Sequence, residues 1–112
     1  MRIRGCIVIS LLAAFSLSAA GQNLQTQIEE CEACHGAGGV SSQDDIPILA
    51  GMDSAQLREM LDQFYFYERH CTTTTYRHGD RPKTPMNMCN VANTLSDTDK
   101  LALAEYFANQ PR

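Results

Sequence analysis

Cys31-Glu32-Ala33-Cys34-His35 combines two thiols three positions apart with an imidazole directly after the second. Those types in that order suit covalent attachment of haem. Each thiol can add across one vinyl group of the porphyrin, and the helical turn between them matches the vinyl spacing. The histidine is then held against one face of the ring, where it can take the proximal position on the iron. Other uses of a Cys-x-x-Cys pair ask for more than this chain offers. A zinc site needs further ligands, usually a second close pair, and none appears downstream. A thioredoxin-like dithiol needs βαβ surroundings, and no such pattern is present.

A six-coordinate haem needs a second ligand from the opposite face. The candidates are Met60, Met86, Met88, His70 and His78. A methionine raises the reduction potential and suits electron transfer, whereas a second histidine lowers it. Met60 falls at an apolar position within a helical pattern, where filling the core is its ordinary job. His70 and His78 flank a threonine-rich stretch and read as exposed. Met86 and Met88 lie in an irregular, proline-bracketed strap that could bring a thioether over the ring. Being two apart in an extended strap, their side chains are expected on opposite sides, so that one faces the haem.

The elements that must position these groups read as helices. Leu24, Ile28 and Cys31 share one helical face leading into the attachment motif, and Gly36, Gly38 and Gly39 stop that helix at once. Ile46-Pro47-Ile48-Leu49-Ala50-Gly51 is an apolar strip whose proline forbids a continuing helix, so an extended wall over the haem is expected. Asp53 reads as an N-cap with Gln56 completing a capping box. A helix is predicted from Ser54 to about His70, with Leu57, Met60, Leu61, Phe64, Tyr65 and Tyr67 at helical spacing. The Phe64 to Tyr67 cluster is expected to pack in the core. From Cys71 to Asn87 the β-branched run Thr72 to Thr75, the Gly79-Asp80 turn, Pro82 and Pro85 exclude long regular structure. Ser96 caps a last helix, with Asp99 three residues on, whose apolar side is Leu101, Leu103, Ala104, Phe107 and Ala108. The fold class is all-α in one small domain.

Arg2 and Arg4, the apolar run from Cys6 to Leu17, and Ser18-Ala19-Ala20 form a basic, then apolar, then small-residue sequence. Residues 1–20 therefore read as a signal peptide, with a retained anchor as the alternative, and residues 21–112 as the domain. The apolar run is short for a membrane span, and no second candidate follows. Export to the periplasm fits the haem motif, because covalent attachment takes place outside the bacterial inner membrane. Losing Arg2 and Arg4 leaves seven basic against thirteen acidic side chains, a net charge of −6. That balance disfavours nucleic acid and anionic lipid and favours redox partners with a basic docking surface. Cys71 and Cys89 remain after haem attachment. A disulfide is the default for such a pair in an oxidising compartment, and a soft-metal site with His70, His78 or Met86 is the competing reading.

With those residues in hand, the domain resembles a small class I c-type cytochrome. The resemblance is carried by Cys31-x-x-Cys34-His35-Gly36, Ile46-Pro47-x-Leu49-Ala50-Gly51, Met88-x-x-Val91-Ala92-x-x-Leu95-Ser96 and Leu103-Ala104-Glu105-Tyr106-Phe107-Ala108. It implies a cytochrome c fold, with N- and C-terminal helices packed together around one covalent haem c. It also implies that the Pro47 carbonyl accepts the His35 ring N–H, and that Met88, eight residues before Ser96, is the axial methionine on iron; Met86 does not fit that spacing. The spacing is similar to one domain of periplasmic di-haem cytochromes and to the cytochrome subunit of flavocytochrome c sulfide dehydrogenase. The Cys71/Cys89 pair and the threonine run depart from the commonest pattern. The implied function is electron transfer rather than catalysis, either as a free carrier or as a subunit taking electrons from a flavoprotein. A ligand-binding haem sensor would need Met88 to be displaceable.

Overall fold

The structure is a computed structural model and describes Ser10 and residues 19–112. Most of the expected signal peptide lies outside the described residues. Four helices follow in order: α1 (Ala19–His35), α2 (Ser54–Tyr65), α3 (Met88–Asn93) and α4 (Asp97–Ala108). A short 3₁₀ turn, Ala37–Gly39, leaves α1. Among the described residues the β structure is one isolated antiparallel bridge, Thr74 to Met86. Helix α4 packs on α1 and on α2, while α3 packs on α2. The buried core joins Ile28 of α1, Leu57 of α2, Leu95 before α4, and Leu103, Ala104 and Phe107 of α4. Each large apolar side chain buried there contributes about 1.5–3 kcal/mol.

Local chemistry sets most boundaries. At the end of α1, Gly36 adopts φ 82° and its N–H closes on the Glu32 carbonyl at 2.9 Å. A Cβ at Gly36 would run into the Val40 carbonyl, so only glycine permits this exit. Gly39, at φ 78°, lies against the Phe107 ring, and its carbonyl accepts from Leu49 and Ala50. The turn after α1 is thereby locked onto α4 and the apolar strip. Asp53 accepts from Gln56 N–H at 3.0 Å, forming that half of the expected box. Ser96 and Asp99 form both halves, at 3.1 and 2.9 Å.

Helix α2 is shorter than expected, ending at Tyr65 rather than near His70. Tyr67 takes φ 55°, Tyr67 N–H bonds Phe64 O at 3.2 Å, and Glu68 N–H bonds Gln63 O at 2.8 Å. That is a Schellman ending with tyrosine where glycine is usual. It turns the chain outward, and Phe66 and Tyr67 are 63% and 68% exposed. The expected core cluster is therefore corrected: Phe64 and Tyr65 stay half-buried, while Tyr67 points to water. Leu101, expected on the apolar side of α4, is likewise exposed.

A buried cation takes part of that α4 face. Lys100, 2% exposed, donates to Asp62 Oδ1 at 2.9 Å, lies 3.5 Å from Asp97 Oδ1, and sits 3.9 Å over the Tyr65 ring. Hydrogen bonding from Lys100 is the main cause holding the Asp62 carboxyl below its ordinary pKa.

Candidate haem site

The attachment motif is the last turn of α1. Because the helix brings positions i, i+3 and i+4 to one side, Cys31, Cys34 and His35 reach a common cavity of about 380 Å³. The apolar strip contributes Ile46, Pro47 and Leu49, and α2 contributes Leu57, Met60, Leu61 and Phe64. Leu95, Leu103, Ala104 and Phe107 close another wall. Polar groups at the cavity include the carboxylates Glu30 and Asp45 together with Arg69, His70, Thr72 and Asn87. An apolar cleft of this size with few polar groups is the ordinary form of a cofactor site.

His35 is 7% exposed, and its Nδ1 lies 2.7 Å from Pro47 O. A carbonyl can only accept, so Nδ1 carries the proton and Nε2 keeps its lone pair. Burial lowers the imidazole pKa, opposed in part by the Pro47 bond. The outcome is a neutral ring in a fixed tautomer, as a metal-ligating histidine requires. Burial, with Glu30, Glu32 and Cys34 nearby, pushes the Cys31 thiol up to about 12. A redox dithiol relies on a lowered thiol pKa, so the Cys31 environment speaks against that use.

On the opposite side, the strap is arranged differently from the sequence expectation. Met86 is held in the bridge with Thr74 by bonds of 2.8 and 2.9 Å. Asn87 then caps α3, accepting from Asn90 N–H at 2.9 Å, and Met88 is the first helical residue. The chain turns at Asn87, so two-residue alternation fails, and both Met86 and Met88 line the cavity. Met60 also lines it, as does His70; His78 does not. Cys71 and Cys89 are bonded to each other with Cα atoms 5.7 Å apart, within the ordinary disulfide range. The bond ties the segment after α2 to the second residue of α3, next to Met88. Among the described residues no three of His, Cys, Asp and Glu form a metal cluster.

Two features escaped sequence reasoning. Arg77 is buried and donates to Cys34 Sγ at 3.0 Å, to Tyr76 O at 2.7 Å and to Thr84 O. Nearby, His78 N–H bonds Ala33 O, and Arg81 Nη1 bonds Glu29 O at 2.7 Å. The irregular segment is thus pinned along α1 beside the attachment cysteines.

Residues 18–110 match the family model for Cytochrome c. The chain belongs to the cytochrome c family. The thiosulfate dehydrogenase electron acceptor of Stutzerimonas stutzeri (strain A1501) is 34% identical over 86 residues, covering 76% of this chain and 34% of that protein. Cytochrome c4 of Pseudomonas aeruginosa is 31% identical over 110 residues, covering 93% of this chain and 48% of that protein. The chain thus spans about a third to a half of the length of these curated relatives. No solved structure matches it significantly. As a cytochrome c it binds haem c with its iron, and the family's role is electron transfer. The helical fold agrees with that membership, and among the described residues no helix is long and apolar enough to cross a membrane.

Proposed function

We propose that this cytochrome c is a periplasmic one-electron carrier in which Cys31 and Cys34 hold the haem as thioethers and His35 and Met88 ligate the iron. The single observation that carries the reading is the His35 Nδ1–Pro47 O bond of 2.7 Å at the wall of an apolar cavity, with Nε2 left free for iron. Bound haem supplies the one-electron ferric/ferrous couple. The chain's own residues fix the ligands and keep water off: Pro47 orients His35, the Asn87 cap and the Cys71–Cys89 bond hold Met88, and the apolar walls exclude solvent. Between the two methionines, the family spacing before Ser96 and the adjoining disulfide favour Met88. No general base or nucleophile is needed for this role, so the chain is not an enzyme by itself.

An intact-mass measurement on the native protein, with acid–organic extraction, tests attachment. One haem should remain with the chain, and residues 1–20 should be absent; a bare-chain mass would overturn the attachment. Ferric spectra of Met88→Ala and Met86→Ala test ligation. Met88→Ala should lose the weak far-red sulfur-to-iron band and open the iron to small ligands, while Met86→Ala keeps the band. The reverse pattern would move the ligand to Met86, and a band absent from the parent would shift it to His70.

A second reading keeps the haem and changes the setting: an obligatory subunit fed by a flavoprotein that oxidises a reduced sulfur compound, as in a flavocytochrome c sulfide dehydrogenase. The similarity to the thiosulfate dehydrogenase electron acceptor of Stutzerimonas stutzeri favours a sulfur-compound dehydrogenase as donor. Co-purification of a stoichiometric flavin subunit would support it; a freely diffusing monomer would support the carrier.

A further inference from the structure

We infer that Arg77 is a positioning residue that also sets the reduction potential, by holding an unneutralised positive charge beside the haem's attachment edge. The residue is 9% exposed. The guanidinium spends its donors on neutral acceptors: Cys34 Sγ at 3.0 Å, Tyr76 O at 2.7 Å and Thr84 O. Among the described residues the ion pairs join Arg58 and Lys100 to Asp62 and Asp97, and none involves Arg77. Glu32, the acid of the motif, accepts from Gly38 N–H and makes no ion pair with Arg77. A buried guanidinium without an anion is expensive to keep, and a neutral side chain could pack the same space. The charge itself must therefore be felt by whatever lies next to Cys34.

That neighbour is the haem, on the reading that Cys34 is an attachment point, on which this inference rests. The vinyl edge of the macrocycle is the edge away from the two propionates, so those carboxylates do not neutralise a cation held at the thioether. Oxidation to ferric adds one positive charge to the haem. A guanidinium fixed nearby opposes that addition and favours the ferrous form. A unit charge about 12 Å away, at an effective dielectric of about 20, shifts a one-electron equilibrium by about tenfold.

Spectroelectrochemical titration of the haem-loaded protein tests this, using Arg77→Met, Arg77→Gln and Arg77→Lys. The two neutral variants should favour ferric about tenfold more than the parent, a fall of about 59 mV for one electron. Arg77→Lys should restore the parent midpoint within about threefold, although it loses the forked bonds and melts earlier. Intact mass of each variant checks thioether attachment separately, and the far-red sulfur band checks that ligation is unchanged. Arg77→Gln, which keeps amide donors for Cys34 and Tyr76, serves where Arg77→Met loses that band. Neutral variants with the parent's midpoint would overturn the inference, as would a fall in Arg77→Lys equal to that in Arg77→Met. A haem released on extraction would overturn the attachment reading instead.

Discussion

Replacing Lys100 by methionine isolates the buried charge that joins α2 to α4. The Nζ–Asp62 bond of 2.9 Å is charge-assisted, a class worth about 1.5–3 kcal/mol. Asp62 is 38% exposed, however, so solvent screens the pair and its share falls to about 1 kcal/mol. The ammonium lies 3.9 Å over the Tyr65 ring, a contact worth about 0.5–1 kcal/mol. Relief of the lysine's desolvation opposes both losses. Methionine fills most of the space of the stem, so little cavity is added. The net expectation is a loss of about 1 kcal/mol, or roughly 4–8 °C in Tm for a domain of this size. Thermal unfolding of the haem-loaded protein, followed in the far-ultraviolet, reads it at neutral pH. Acid adds a second check. The Asp62 pKa is lowered in the folded state, so its contribution is fully present above the unfolded value of about 3.9 and is lost as pH falls through the folded value. Parent and variant should therefore converge in stability on acidification. A Lys100→Met protein as stable as the parent at neutral pH would refute the reasoning, and so would a gap that stays constant through the acid range.

Two further outcomes follow from the strap and the end of α2. Joint Cys71→Ala and Cys89→Ala should remove on the order of 3 kcal/mol, given a sequence separation of 18, and should weaken the far-red band by loosening Met88. Alkylation of the unfolded, unreduced parent should label neither residue, and two labels would refute the bond. Tyr67→Gly should stabilise by about 0.5 kcal/mol in denaturant melts, because relief of the positive φ outweighs glycine's added freedom in the unfolded chain and the ring buries little. A destabilised variant would mean that the exposed ring makes contacts worth more than the strain.

What could be read from residue order was chemistry complete within a few neighbours. The Cys31-x-x-Cys34-His35 turn, its stop at Gly36, and the Ser96–Asp99 box are each defined over at most five residues, and helical geometry alone delivers them. The family motifs added Pro47, whose carbonyl does meet His35, twelve residues away. The sequence missed what depends on partners far along the chain. Lys100 reads as a surface lysine until Asp62, 38 residues earlier, is brought beside it. Arg77 reads as part of a polar loop until Cys34, 43 residues earlier, supplies its acceptor. The shared exposure of Met86 and Met88 to the cavity was hidden for a different reason: alternation holds only while the backbone stays extended, and the Asn87 cap turns it into α3 between them. Likewise the periodicity of α2 continues past Tyr65, but the Schellman turn at Tyr67 ends the helix and carries the aromatics into water. Side-chain type and spacing decide which local structures are available. Burial of a charge, and the side from which a loop approaches a cavity, are decided when distant segments compete for the same space.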